Sequence, residues 1–334
     1  LNFPDSFITF LNREKSKKKK KKMKYDYLII GAGIIGLSIA RELNKQFPEA
    51  KIKILEKEPD TGHHSSGRNS GVLHAGFYYT ADSLKARFTK DGNKELTEYC
   101  LRNNLKINRC GKLVIAQDEN ELKTLYELEK RGKANKVDVS LIDSEEAKKI
   151  DPNVVTYKKA LYSPTTSTVD PVELCRFIRK ELEDKGIDMS FGEAYGKRIG
   201  GNRIITSKGN EIEAVKLINT AGLYADKIAQ EFGFSKDYEI IPFKGLYLKY
   251  TNNDMPVRVN IYPVPNLKNP FLGVHYTITV DNHIKIGPTS MPAFWRENYS
   301  GFDNFKLAEF IKIILWEARL FLTNAFGFRD LAIE

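Results

Sequence analysis

The chain has 334 residues and a formal charge of +10 at neutral pH, which is enough length for two domains and a substantial core. Most of that charge lies in residues 1–22, where eight basic residues against two acids contribute +6 and residues 17–22 are all lysine. A block of like charge stays solvated, so this segment is predicted to be a disordered basic tail and Met23 to be the native start. We therefore expect no nucleic-acid partner, with a basic arm that binds nucleic acid or anionic lipid as the alternative.

Cysteine and apolar content restrict the class of protein further. Cys100, Cys110 and Cys175 show no metal-ligand or redox spacing, so we expect no metal site and inert thiols in a reducing cytoplasm. No run of eighteen apolar residues is present, so no segment is predicted to span a membrane.

The first strong motif is a glycine turn. Residues 27–30 are an apolar run typical of a strand buried on both faces, and the sequence GAGIIG follows at 31–36. Gly31 permits the tight turn, Gly33 lets the backbone approach a pyrophosphate, and Gly36 lets the next helix pack closely. The N–H groups at the helix start, at Ile34 and Ile35, then point at the phosphates.

A second predicted strand at 51–55 ends at Glu56, twenty residues beyond Gly36. This spacing is the one that an acid needs to reach a ribose hydroxyl, and the pattern predicts a dinucleotide-binding α/β domain. A glycine-rich turn without a ligand is the alternative.

The loop that follows distinguishes between dinucleotides. A simple NAD domain usually proceeds to its next strand, whereas here a run of small residues lets backbone amides and hydroxyls follow a second stretch of phosphate and ribitol. We therefore favour FAD. The predicted cofactor-binding residues in this segment are Lys57, Ser65, Ser66, Arg68, Asn69, Ser70 and Gly71.

Residues 66–79, SGRNSGVLHAGFYY, resemble the L-2-hydroxyglutarate dehydrogenase (oxidase) family, FAD-dependent enzymes of the D-amino-acid oxidase superfamily. The resemblance covers about residues 23–299. Further family motifs occur in the family's order, FKG at 243–245, IYPVP at 261–265, PFLGVH at 270–275 and IGP at 286–288. Two positions depart from the pattern: Ile278 stands where several relatives have arginine, and Thr289-Ser290 where an Asn-Ala pair is usual.

The resemblance implies an α/β fold with a Rossmann-like FAD-binding domain and a second α+β substrate domain built on an antiparallel sheet. We expect the FAD domain to be discontinuous, 23–110 and 165–235, and the substrate domain to comprise 111–164 and 236–300. The backbone near Ala194 is then expected to face the adenine, and the passage at Ala221 and Gly222 to close over the cofactor. A close-packed turn without a ligand is the alternative for Ala221 and Gly222.

Other predicted elements follow in chain order. Helical patterns occupy 83–103, 119–135 and 172–184, and Asp143 and Asp170 stand at predicted helix starts. Strands are predicted at 110–116, 186–189, 203–206 and 216–219. Alternation at 240–250, 258–262, 273–280 and 283–287 predicts the antiparallel sheet of the substrate domain.

Residues 305–322 form a strongly apolar predicted helix. We expect it to be buried in the protein, with peripheral contact to a membrane surface, the inner membrane, as the alternative. The family resemblance implies a further strand and glycine-containing loop beside the flavin, so residues 301–334 are expected to precede a missing C-terminal part of the fold. The cofactor site would then be incomplete.

The implied chemistry removes two electrons from a 2-hydroxy acid, L-2-hydroxyglutarate giving 2-oxoglutarate, by hydride transfer to flavin N5. His74 follows the flavin loop and is the expected base, because an imidazole with a pKa near 6.5 can take the hydroxyl proton. A structural histidine and a covalent flavin attachment point are its alternatives. His275 is the rival base.

Lys244 and Arg68 are expected to pair with substrate carboxylates, and Lys244 is also a catalytic candidate. Tyr79 and Tyr262 are expected to donate hydrogen bonds. Solvated cations and half-buried aromatic rings are the alternatives. The expected partners are a small hydroxy acid and an electron acceptor, quinone or oxygen. Two alternatives stay open: a same-fold enzyme acting on an amino acid, an amine or glycerol 3-phosphate, and, from another class, a non-catalytic flavoprotein or a basic nucleic-acid-binding protein.

Overall fold

The computed structural model describes residues 23–252, 254, 256–265 and 273–333. The predicted basic tail at 1–22 and the motif residues 270–272 lie outside the described part. Among the described helices, none is long and apolar enough to cross a membrane.

The strands, in chain order, are β1 Met23–Ile30, β2 Ile52–Leu55, β3 Val72–Leu73, β4 Ile107–Asn108, β5 Lys112–Ile115, β6 Ser140–Asp143, β7 Lys159–Ser163, β8 Ser167–Val169, β9 Asp188–Ser190, β10 Tyr195–Gly200, β11 Arg203–Thr206, β12 Glu211–Asn219, β13 Phe243–Lys249, β14 Asn260–Pro263, β15 His275–Ile278 and β16 Ile284–Pro292. The helices are α1 Ile34–Gln46, α2 Leu84–Arg102, α3 Glu119–Ala134, α4 Ser144–Ile150, α5 Pro171–Asp184, α6 Ala225–Glu231, α7 Leu307–Thr323 and α8 Phe328–Ile333.

A six-stranded sheet carries the glycine turn. Its strand order is β10-β11-β12-β1-β2-β9, with β12, β1, β2 and β9 parallel and β10 and β11 added as an antiparallel hairpin. Ile29 faces a core shared with Leu37 of α1, whereas Leu28 faces a second core shared with Ile204. The prediction of a strand buried on both faces is therefore confirmed, and the α/β class with it.

The second large sheet has seven strands, in the order β13-β16-β15-β14-β5-β7-β6. Its pairs are antiparallel except for β14 and β5, which run parallel. The antiparallel sheet predicted for the substrate domain is confirmed for β13, β14, β15 and β16, and the parallel pairing of β14 with β5 comes in addition to it. Alternating side chains look alike in both pairings, and the two strands are joined by a long excursion through the other sheet, as a parallel pair requires.

Local signals set the helix starts. Asp143 forms a capping box with Glu146 at the start of α4, and the carboxylate of Asp170 accepts from the N–H groups of Val172 and Glu173 at the start of α5. Both starts agree with the sequence prediction, because a cap is specified by residues only three positions apart.

The apolar helix α7 departs from expectation. Its stripe is largely exposed in the described chain, with Leu307, Leu315 and Leu322 at 61%, 65% and 79% of full exposure. Its buried members are Glu309 and Ile313. The expectation of a helix buried in the protein is therefore wrong for the described residues, since the stripe is broader than the surface on which the helix rests.

Candidate active site

The glycine turn is closed over by the passage between β12 and α6. Gly31 has φ +107°, and a Cβ there would lie 2.5 Å from the carbonyl oxygen of Thr220. The Oγ1 of Thr220 donates to the Ile30 carbonyl at 2.8 Å, and its backbone N–H donates to the same oxygen at 3.0 Å. Ala221 and Gly222 follow directly, so the structure brings this passage onto the glycine turn.

The start of α1 offers free donors. The Ala32 N–H donates to Glu56 Oε2 at 2.7 Å, and the Ile34 N–H donates to Ser66 Oγ at 3.0 Å. The N–H groups of Gly33 and Ile35 have no partner among the described residues. Free N–H groups at a helix start, beside a glycine that lets the backbone come close, fit a pyrophosphate.

Glu56 and Ala194 lie at one end of this turn. The second carboxylate oxygen of Glu56 accepts from the Glu58 N–H at 3.0 Å, so backbone amides hold the acid in place while lone pairs remain for a hydroxyl. The Glu193 N–H donates to the Glu56 carbonyl at 2.9 Å, and Ala194 exchanges two hydrogen bonds with Ser207. Ala194 therefore directly follows the residue whose N–H binds the Glu56 carbonyl.

The loop at 65–71 is held by Asn69. Its amide donates to the carbonyls of Ser65 and Ser66 at 3.0 and 2.9 Å and accepts from the Gly71 N–H at 2.8 Å. A Cβ at Gly71 would lie 2.2 Å from the Val169 carbonyl oxygen, so only glycine lets the loop, which includes Ser70, approach β8 so closely.

The two cations of this region have partners within the protein. Lys57 forms ion pairs with Glu58 and with Glu297, the latter at 2.8 Å. Arg68 donates from Nε to the His63 carbonyl at 2.7 Å, and its guanidinium lies 4.0 Å from the centroid of the Tyr299 ring. Glu58, His64 and Glu297 place ligand-type atoms within 4.8 Å of one another, and Lys57 forms an ion pair with each of the two acids.

Beyond Gly71, β3 pairs with β8 and delivers His74 to the seven-stranded sheet. We call the residues that meet there the His74 cluster: His74, Tyr78, Lys112 of β5, Tyr262 of β14 and His275 of β15. The Nζ of Lys112 lies 3.2 Å from His74 Nδ1 and 3.5 Å from the Tyr78 hydroxyl. The Tyr262 ring lies 4.0 Å from the same Nζ and stacks on His275 with centroids 3.8 Å apart.

Burial controls the charges of the His74 cluster. It lowers the pKa of Lys112 to about 7, and it lowers the pKa of His74 well below its ordinary value, with the positive charges of Lys112 and His275 adding to the effect. Burial likewise lowers the pKa of His275, partly opposed by a hydrogen bond to the Gly273 carbonyl, and raises the pKa of Tyr262. Both imidazoles are therefore neutral near pH 7.

Among the residues predicted for catalysis and substrate binding, the structure brings His74, His275 and Tyr262 together. Lys244 Nζ instead lies 3.3 Å from Asn298 Oδ1, and Lys85 Nζ lies 4.6 Å from the centroid of the Tyr79 ring. Lys244, and Arg68 stacked on Tyr299, have no described contact with the His74 cluster, whereas Tyr79 directly follows Tyr78 in the chain and, after burial, contributes to the raised pKa of Tyr78.

Sequence analysis missed two members of the His74 cluster, Lys112 and Tyr78. Lys112 could have been singled out from the sequence, because a lysine inside the apolar strand predicted at 110–116 is not expected to face solvent. Lys112 is fully buried, and among the described residues no carboxylate forms an ion pair with it.

A parallel sheet with a phosphate-binding turn, joined to a second sheet that presents buried titratable groups, defines an FAD-binding oxidoreductase. The sequence model of the family described as "FAD dependent oxidoreductase" matches residues 26–319, and the chain belongs to this family, whose cofactor is FAD.

Relatives agree with this assignment. The chain is 34% identical over 294 residues to L-2-hydroxyglutarate dehydrogenase of Escherichia coli (strain K12), covering 87% of this chain and 69% of the relative. It is 36% identical over 311 residues to the mitochondrial L-2-hydroxyglutarate dehydrogenase of Homo sapiens, covering 87% and 66%. The chain thus spans about two thirds of the length of these curated relatives.

Solved structures share the fold. The L-alpha-glycerophosphate oxidase from Mycoplasma pneumoniae, with FAD bound, superposes with a TM-score of 0.73 at 24% identity, over 87% of this chain and 77% of that one. Glycine oxidase from Geobacillus kaustophilus gives a TM-score of 0.70 at 19% identity, over 89% and 77%.

Proposed function

We propose that this chain oxidises a 2-hydroxy acid, L-2-hydroxyglutarate to 2-oxoglutarate, with FAD as the oxidant. The observation that carries the proposal is the His74 cluster, in which a partly exposed, neutral imidazole follows directly on the loop whose residues fit the cofactor. The homology to L-2-hydroxyglutarate dehydrogenases supports the choice of substrate.

Bound FAD would supply a two-electron acceptor for the hydride of the alcohol carbon. The residues that would hold it are those of the glycine turn, Glu56, the loop at 65–71 and the passage at Ala221 and Gly222. His74 takes the hydroxyl proton, because its lowered pKa leaves the ring unprotonated at neutral pH. His275 remains the rival base.

Neutralising the substrate carboxylates is the second task. Lys244 and Arg68 stay the candidates, together with hydrogen bonds from Tyr262 and Tyr79. Among the described residues the polar partner of the Lys244 Nζ is the neutral amide of Asn298, so its charge is available to an anion, whereas Arg68 lies over an aromatic ring.

The test is anaerobic reduction of the flavin in the FAD-loaded protein. We expect L-2-hydroxyglutarate to bleach the flavin absorbance and its D enantiomer to leave the absorbance unchanged. A panel containing glycine, proline and glycerol 3-phosphate serves as the control for other substrates of the same fold. Bleaching by one of these and not by L-2-hydroxyglutarate would overturn the proposal.

A further inference from the structure

Lys112 occupies an unusual place for a cation. It is fully buried on β5, and its polar neighbours in the described chain are the His74 ring nitrogen Nδ1 and the Tyr78 hydroxyl. The rings of Phe77, Tyr78 and Tyr262 surround Nζ at 5.4, 4.8 and 4.0 Å from their centroids. An ammonium group here has no anion to offset its lost hydration, which favours the neutral amine.

The protonation state of Lys112 decides which nitrogen of His74 can act. An ammonium group can only donate, so it would donate to Nδ1 and leave the proton of the neutral ring on Nε2. A neutral amine has a lone pair beside its two N–H bonds, so Nδ1 can then carry the proton and donate a hydrogen bond to Nζ. Because Nδ1 faces Lys112 in either case, Nε2 is the nitrogen left for a substrate, and it has a free lone pair only when Lys112 is neutral.

We propose that Lys112 is a positioning residue that, as the neutral amine, holds His74 in the Nδ1–H form and receives its proton during the reaction. This inference rests on the proposed function of His74 as the base. The substrate O–H bond breaks as Nε2–H forms, and the Nδ1–H bond breaks as a third N–H bond forms on Nζ. The electron pair leaves the alcohol carbon with the hydride, and FAD, the family's cofactor, is the oxidant.

All titratable groups that face Lys112 belong to the same cluster. His74 and Tyr78 come from the segment after β3, Tyr262 from β14, and His275 from β15, where, after burial, the charge of Lys112 contributes to its lowered pKa. The raised pKa values of Tyr78 and Tyr262 keep both phenols neutral. His275 donates from Nδ1 to the Gly273 carbonyl at 2.8 Å, so its own tautomer does not depend on Lys112.

The first measurement is the tautomer of His74 by ¹⁵N NMR of the imidazole nitrogens, assigned by the signal lost in His74→Gln among the five histidines of the chain. Above pH 8 we expect the proton of His74 on Nδ1. In Lys112→Arg, whose guanidinium is a permanent donor, we expect it on Nε2 at every pH. The control is Lys123→Arg, at an exposed lysine of α3, which should keep the wild-type tautomer.

The second measurement is the pH profile of flavin reduction by L-2-hydroxyglutarate. We expect the wild-type rate to rise with pH through the titration of the His74 cluster, and Lys112→Arg to lose this limb and at least about a hundredfold in rate. Should Lys112→Arg not fold, Lys112→Met removes the acceptor without adding charge and is expected to lose the preference for Nδ1–H.

The outcomes separate the two proposals. An Nε2–H tautomer in the wild type at high pH, or a wild-type tautomer in Lys112→Arg, overturns the role of Lys112. A rate that falls as Lys112 loses its proton also overturns it, because an ammonium group would then be binding the substrate carboxylate. The expected tautomers without reduction by any 2-hydroxy acid would support the Lys112–His74 pair and overturn the proposed substrate instead.

Discussion

His74 and His275 differ in the group that holds each ring. His275 Nδ1 donates to a backbone carbonyl at 2.8 Å, whereas His74 Nδ1 faces the amine of Lys112 at 3.2 Å. His275 is also buried and stacked on Tyr262, while His74 remains partly exposed. A carbonyl oxygen can only accept a hydrogen bond from the ring N–H, whereas an amine can take the proton itself. Of the two histidines, His74 is therefore better placed to transfer a proton to its neighbour.

This difference predicts unequal effects of the two glutamine variants. We expect His74→Gln to lose about two orders of magnitude or more in the rate of flavin reduction while keeping the flavin spectrum, since the general base is removed and the cofactor contacts are not. His275→Gln should lose less, because it removes a stacked neighbour of the site. Stopped-flow reduction measures both rates, and an unchanged rate in His74→Gln would exclude it as the base.

Lys112 also predicts a pH dependence of stability. Burial lowers its pKa from 10.5 to about 7, so the folded state binds fewer protons than the unfolded state between these values, and the free energy of unfolding rises with pH across that window. Relative to Lys112→Met, the wild type should gain roughly 3 kcal/mol between pH 7 and 9.5.

Urea denaturation of both proteins at the two pH values gives this difference, in which the other titrating groups largely cancel. Lys123→Met, at an exposed position, should follow the wild type at both pH values. Parallel pH profiles for the wild type and Lys112→Met would mean that the amine is not held in a site that disfavours its charge.

At the scale of single elements, the glycines of the turn before α1 separate folding from cofactor binding. A Cβ at Gly36 would lie 2.0 Å from the Gly31 carbonyl oxygen, a backbone atom that cannot yield cheaply. A Cβ at Gly33 would lie 2.9 Å from Ser66 Oγ, the end of a side chain that can rotate away. Gly36 is therefore needed for the fold, and Gly33 is needed for the approach of the backbone to the cofactor.

We accordingly expect Gly36→Ala to lower the melting temperature and to lose FAD. Gly33→Ala should weaken FAD binding at least tenfold while the apoprotein melts within a few degrees of the wild type. Flavin fluorescence titration and thermal melts of the two apoproteins make the comparison. Equal loss of stability in both variants would contradict the separate roles.

Elements specified by nearby residues were predictable, and those that depend on distant packing were not. The starts of α4 and α5 followed from Asp143 and Asp170, because each cap closes on residues two or three positions away. Two features depend instead on which surfaces meet in the fold: the parallel pairing of β14 with β5, and the exposure of α7. The hydrophobic pattern within a single strand or helix does not contain this information.

The same distinction applies to the candidate site. The sequence placed His74 after the loop at 65–71 and Glu56 beside the glycine turn, and their roles toward the cofactor and the substrate stay predictions. Lys112 reaches His74 only because β3 pairs with β8 while β5 joins the other sheet, and no local pattern records that convergence. Lys244 stays a prediction for the substrate carboxylate, and its place on β13, an edge strand of the seven-stranded sheet, is likewise not recorded in any local pattern.

At the scale of the whole molecule, one buried arginine ties distant segments together. Arg296, with its side chain 1% exposed, donates to both carboxylate oxygens of Asp226 on α6 at 2.7 Å and to Glu239 at 2.8 Å. Glu239 in turn accepts from Lys312 of α7 at 2.7 Å. The segment before α7 is thereby joined to the helix that follows the passage over the glycine turn.

Removing the Arg296 side chain while leaving its acidic partners should lower the free energy of unfolding far more than removing a surface ion pair does. In Arg296→Met, the buried Asp226 keeps its charge without the cation that lowers its pKa, and the expected loss is about 3–5 kcal/mol in the free energy of unfolding. Because that low pKa stabilises the fold fully above 3.8, the ordinary pKa of the carboxyl, and this stabilisation is lost as the pH falls through the folded pKa, the difference from the wild type should shrink only below about pH 3.8. The double variant Arg296→Met/Asp226→Leu removes both charges and is expected to recover part of the loss, whereas Lys306→Met, at an exposed partner of Glu309, should cost less than about 1 kcal/mol. Denaturation curves at pH 7 and 3 decide the matter, and a loss at pH 7 in Arg296→Met no larger than that in Lys306→Met would show that the arginine does not hold these segments together.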